Sequence, residues 1–247
     1  ELESDVFPMI RRAVVVVKYT EYGLSDDELK SAVVNNPNSL SVEELLFTAG
    51  KLTSDLNQKA TIYGIAAANY AQDHRTHTNL GATLFELNKT KEAAAAFKKA
   101  NDLKANAVTD NNLAASLILE GNRAAAKKLL RSKTTVSGYN QGIIDIMEGN
   151  YSAAEKNISQ NSYNLVLALV LQDKTDLARK AAANVKETAE LAYLKAIIEA
   201  RSGSNVDAVV APLKIAISKN AALKAKAAKD REFLKYMNEA TFIDLVK

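Results

Sequence analysis

Two stretches of the chain carry nearly the same wording. EGNRAAAKKLL (residues 120–130) returns 28 residues later as EGNYSAAEKNI (148–158), and self-similarity at a period of this size constrains a fold before any single motif does. The pattern extends to five places. Short turns stand at Asn88-Lys89, Gly121-Asn122, Gly149-Asn150, Asp173-Lys174 and Gly203-Ser204. Four residues after each turn comes an alanine: Ala93, Ala126, Ala154, Ala178 and Ala208. Seven residues before each turn comes Gly81, Ala114, Gly142, Val166 or Ala196, none of them bulky. In an antiparallel helix pair joined by a tight turn, small residues facing one another let the axes approach at the short end of the usual range of about 8–10 Å. One helical turn beyond each alanine stand Phe97, Leu130, Ile158, Ala182 and Pro212, expected to lie against the next hairpin. Successive turns are 33, 28, 24 and 30 residues apart, so several helices must be short and the stack irregular.

Composition agrees with helices. The chain has 247 residues with 9 Gly and 3 Pro, and alanine, lysine and leucine recur in blocks, the residues that lose least on entering a helix. It has no cysteine, which excludes disulfides, thiolate metal sites and a cysteine nucleophile. The net charge of +3 is too small for the clustered basic footprint of a nucleic-acid binder, so no nucleic-acid partner is expected. The longest apolar runs fall far short of the roughly 20 residues of a membrane-spanning helix.

Helix starts are written explicitly. Ser25 with Glu28, and Ser41 with Glu44, fit the capping box, in which serine and glutamate each satisfy a free N–H of the first turn. Asn36-Pro37-Asn38 separates these two helices, because proline disfavours the helical region for the residue before it. The first segment differs. RRAVVVVKYTEY (11–22) is β-branched and aromatic, the composition of a strand. A lone strand cannot satisfy its own backbone, so residues 1–23 either pair with an unidentified segment or, the favoured reading, end an upstream β domain. With Glu1 rather than Met first, the chain is expected to be a processed product or an excised portion of a larger protein.

The repeated unit resembles the tetratricopeptide repeat, a helix-turn-helix of about 34 residues. In the best copy, HTNLGATLFELNKTKEAAAAFKKA, the residues Leu80, Gly81, Ala93, Phe97 and Ala100 occupy that family's Leu, Gly, Ala, Phe and Ala positions. His77 stands in place of its Trp, Leu84 of its Tyr and Ala105 of its Pro. The resemblance implies an all-α fold over residues 24–247: a right-handed superhelix of roughly six helical hairpins, closed by capping helices and preceded by the short β-strand remnant. More loosely, VFPMIRRAVVVVKYT leading into NNPNSLSVEELLFTAGKL resembles the repeat region of outer-membrane-associated envelope proteins of Gram-negative bacteria. That implies a periplasmic or envelope setting, with a cytoplasmic one left open.

Nothing in the chain calls for catalysis. The two histidines, His74 and His77, share a helix face, yet no cysteine or third ligand stands nearby, so no metal or cofactor is expected. Phosphate-cradling and nucleophile-elbow motifs are absent from the sequence. The lysine-rich tail (Lys214, Lys219, Lys224, Lys226, Lys229) could meet an acidic partner or a membrane surface, but reads first as a solvated helix face.

One constellation stands out. Ten residues before each turn lie Thr78, Asn111, Tyr139, Tyr163 and Tyr193, and three residues before the first four turns lie Phe85, Ile118, Ile146 and Val170. In the tetratricopeptide family the first helices line a concave groove. These positions would therefore form a stripe, polar at Thr78 and Asn111 and aromatic from Tyr139 onward, that anchors another protein or peptide. The opposing reading is that the shortened repeats bury the stripe. The function implied is a non-enzymatic interaction scaffold; alternatives are a module binding cell-wall glycan through the tyrosines and the asparagine beside them, and a regulatory module of an absent catalytic domain.

Overall fold

A computed structural model describes residues 23–130 and 138–247. The expected strand at 11–22 lies outside these residues, and every regular element among them is helical. An entry helix α1 (Asp26–Asn35) and a single 3-10 turn (Pro37–Ser39) precede α2 (Val42–Phe47), which runs on through a π turn to Leu52. There follow α3 (Leu56–Asn69), α4 (His74–Glu86), α5 (Thr90–Leu103), α6 (Ala107–Leu119), α7 (Arg123–Leu129), α8 (Gly138–Met147), α9 (Tyr151–Asn157), α10 (Tyr163–Val170) and α11 (Thr175–Ala182). The last hairpin, α12 (Ala189–Arg201) with α13 (Val206–Lys219), is covered by α14 (Ala222–Ala227), a 3-10 segment (Arg231–Tyr236) and α15 (Ala240–Val246). Consecutive helices pack as antiparallel pairs, giving an all-α helical-hairpin solenoid.

The local signals act where the sequence places them. Both capping boxes form: Ser25 and Ser41 receive the amides of Glu28 and Glu44, and each glutamate accepts from its serine's amide at 2.8 Å. Asn106 forms a third, with Thr109 in place of glutamate. All five repeat turns begin with a left-handed residue, Asn88, Gly121, Gly149, Asp173 or Gly203, at φ between 57° and 81°. Each such residue donates its N–H three residues back, and the next residue donates five back, as Asn122 does to Leu117 at 2.8 Å. This pair of hydrogen bonds closes the free carbonyls of the helix end, and its left-handed residue explains why glycine, asparagine or aspartate stands there.

Packing within the hairpins follows size complementarity. Ala93, Ala126, Ala154 and Ala178 are fully buried. Where a large residue one turn later turns back into its own hairpin, its partner on the first helix is glycine. Gly81 faces Phe97, and Gly142 faces Ile158, so closely that a methyl group on either glycine would stand 2.6 or 2.4 Å from that side chain. Phe97 and Ile158 thus fill the notch of their own hairpin, where the spacing in sequence predicts contact with the next one. Leu130 and Ala182 do meet the following hairpin, in clusters with Ile144 and with Leu191. The hairpins α4/α5 and α12/α13 have helices of 13 and 14 residues, whereas α7, α9, α10 and α11 have 7 or 8.

Candidate functional site

The predicted stripe is not uniformly open. Ile118, Val170 and Tyr193 are buried and cannot anchor a partner. For Ile118 and Val170 the reason is register: each stands four residues after the small packing residue of its helix, Ala114 or Val166, and shares its core-facing side. Phe85 and Ile146 hold the same register and are half-buried, with the Phe85 ring 6.3 Å from that of Phe97. Tyr193 is covered by residues far along the chain. Its ring meets Phe233 edge-on at 5.7 Å, the Lys226 ammonium lies 4.6 Å over it, and its hydroxyl donates to Asp230 at 2.7 Å. Burial, then the Asp230 carboxylate, push this phenol far above its ordinary range.

Of the remaining stripe residues, Asn111 and Tyr139 bond to the next hairpin. The Asn140 amide donates to the Asn111 side chain at 2.9 Å and to its carbonyl at 3.0 Å, and the Asn164 amide donates to the Tyr139 hydroxyl at 2.9 Å. Tyr193 with Asp230 is the same step made to the cap. A register of asparagines lies nine residues before the turns, at Asn79, Asn112, Asn140 and Asn164, and stops at Leu194. Tyr163, the residue that Leu194 leaves without such a donor, is exposed, and its hydroxyl has no hydrogen-bond partner among the described residues. Thr78 is half-buried and donates to the His74 carbonyl in its own helix at 2.8 Å.

Openness lies toward the N-terminal half instead. A cleft of about 340 Å³ runs across α2, α4 and α6, lined by Leu46, His74, Thr78, Asn79, Asn106 and Val108. Val108 is 49% exposed, enough to be covered by a ligand. Asn79 and Asn112 are the two asparagines of the register not spent on a neighbouring hairpin: their side-chain amides make no hydrogen bond among the described residues. The Nδ1 atom of His74 is buried at the cleft wall without a partner among those residues. The positive charge at the cleft, Arg75, is already paired. Arg75 pairs with Asp73 and, at 3.0 Å, with Glu43, which holds both carboxyls below the usual carboxylate range. Such a cleft offers apolar walls and the free amide of Asn79 to a backbone-rich ligand. Of its lining residues only Thr78 belongs to the predicted stripe; the repeated asparagine is legible in the sequence, while Leu46, Asn106 and Val108 come together only in the fold.

No protein-family model matches the chain, and no curated protein sequence does. Among solved structures it is similar to the crystal structure of a tetratricopeptide repeat protein from Parabacteroides merdae ATCC 43184, with a TM-score of 0.59 over 90% of each chain at 16% identity. The fold is therefore that of a tetratricopeptide-type helical repeat.

Proposed function

We propose that this protein is a non-enzymatic scaffold that holds an extended segment of a partner protein in the cleft across α2, α4 and α6. The observation that carries the reading is the pairing of the Leu46–Val108 apolar walls with the unengaged amide of Asn79; Asn112, one helical turn beyond Val108 on the same face of α6, adds a second unengaged amide. An extended backbone has donors and acceptors that such amides satisfy, and an alternate apolar side chain fills the cleft. On the resemblance of the N-terminal words to envelope repeat regions, we take the partner to lie in the cell envelope.

The test uses a photo-crosslinking residue at Val108 and, as control, at Leu177, which is exposed on a second helix. One recurring partner sequence captured at 108, lost on Asn79→Ala with Asn112→Ala, is expected. Equal labelling at 108 and 177, or capture unaffected by the two substitutions in a folded variant, would overturn the reading. Retention on purified cell-wall polymer that depends on Tyr163 would favour the glycan alternative, since Tyr163 is the one exposed tyrosine of the stripe.

A further inference from the structure

The positive charge of the chain is concentrated at one end. Residues 23–211 carry 21 basic and 21 acidic side chains and balance to zero, whereas residues 212–247 carry 8 basic against 4 acidic. Most of this lies between 214 and 235, where six lysines and Arg231 stand beside only two acids. Both acids are spent on the fold. Asp230 accepts from the buried Tyr193 hydroxyl, and Glu232 pairs with Arg201 at 2.6 Å. None of the seven cations takes part in an ion pair among the described residues. Six of the seven are exposed, Lys224 being half-buried. Two exposed apolar side chains stand among them: Leu234, 61% exposed between Phe233 and Lys235, and Ile215, 44% exposed beside Lys214.

We infer that the C-terminal end of the solenoid, α13 through the 3-10 segment at 231–236, is a docking surface for an anionic phospholipid bilayer. Two features select that partner. Lysine, which supplies six of the seven charges, is a point charge that follows a diffuse negative field, while recognition of an individual carboxylate or phosphate favours the guanidinium fork. Exposed leucine and isoleucine amid such charges match a headgroup region, which accepts shallow apolar insertion beneath an anionic surface. The surface is separate from the α2–α4–α6 cleft, so it stands or falls independently of the peptide reading.

Co-sedimentation with large vesicles tests it, comparing phosphatidylcholine alone with phosphatidylcholine containing phosphatidylglycerol. The chain is expected to bind the anionic vesicles at low salt, to leave the neutral ones in solution, and to be released by high salt. Each surface cation contributes roughly fivefold to partitioning. Lys214→Gln, Lys219→Gln, Lys229→Gln and Arg231→Gln together should lower it by roughly 600-fold, with an unchanged melting temperature because none is paired. Leu234→Ser should weaken binding without altering its salt dependence. Equal binding of the fourfold variant, equal binding to neutral vesicles, or binding to soluble polyglutamate in place of vesicles would overturn the inference, the last pointing to an acidic protein.

Discussion

Gly142 offers the sharpest test of the hairpin packing. A methyl group added there would lie 2.4 Å from Cγ1 and 2.9 Å from Cδ1 of Ile158, and 3.3 Å from the Ala154 carbonyl oxygen. Ile158 is 2% exposed and has no solvent to swing into. Replacing a helical glycine by alanine gains about 1 kcal/mol of helix propensity, while forcing a methyl into a filled notch costs about 1–3 kcal/mol. Gly142→Ala should therefore lose about 1 kcal/mol net. Gly64, inside α3, supplies the control, since a methyl group added there would meet nothing within 4 Å: Gly64→Ala should gain about 0.5–1 kcal/mol. Urea unfolding followed by far-UV circular dichroism measures both, with hydrogen exchange on α8 and α9 to localise the loss, because repeat stacks open piecewise. Ile158→Val alone should cost about 0.5–1.5 kcal/mol. Combined with Gly142→Ala it should cost less than the sum, since Cδ1 is gone. If Gly142→Ala stabilises as much as Gly64→Ala, the close approach of α8 and α9 is wrong.

Other perturbations separate strain, capping and charge. Gly149→Ala meets no atom within 4 Å but sits at φ +81°, so it should cost about 1–2 kcal/mol from the left-handed conformation alone; an unchanged urea midpoint refutes this. Tyr193→Phe withdraws the hydroxyl from Asp230 inside the cap and should cost about 1–3 kcal/mol, read as a lower melting temperature with disordering of the 231–246 segment by hydrogen exchange. Burial raises the phenols of Tyr63, Tyr193 and Tyr236 above the ordinary value of 10. The unfolded chain thus ionises first, and stability present below pH 10 should fall as the pH rises beyond it; a melting temperature constant into that range contradicts the burial. At the acid end, Arg179 holds Glu199 below its ordinary 4.5, so that pair's contribution should persist above pH 4.5 and fade below it, and Glu199→Gln should flatten this limb of the profile.

The scaffold is legible in the sequence because its demands are local. A left-handed turn residue needs glycine, asparagine or aspartate, and all five turns announce themselves in that way. The serine–glutamate boxes announce two helix starts, while the box at Asn106 lacks that signature because Thr109 takes the place of glutamate. The candidate site is legible only in part, because exposure depends on what other segments cover. Tyr139, Tyr163 and Tyr193 read alike in sequence. In the structure one is tied to Asn164, one stands exposed, and one lies under Phe233 and Asp230, some forty residues further on. Helical spacing of seven suggests a single outward stripe, although spacing of four from Ala114 and Val166 marks the same positions as core. The cleft needs side chains from three hairpins, and no period in the sequence gathers Leu46, Asn79 and Val108.

The unequal helix lengths have a mechanical meaning. Helices of 13 and 14 residues span about 20 Å, those of 7 or 8 only about half of that. Each short pair therefore shares less buried surface with its neighbours than the thick hairpins on either side. Were the two ends tethered to different bodies, with tension passed along the rod between them, the slender waist from α7 to α11 would yield first. The end hairpins would still be intact, and the molecule would behave as a force-limiting link whose breaking point is set by how few residues its middle helices contain.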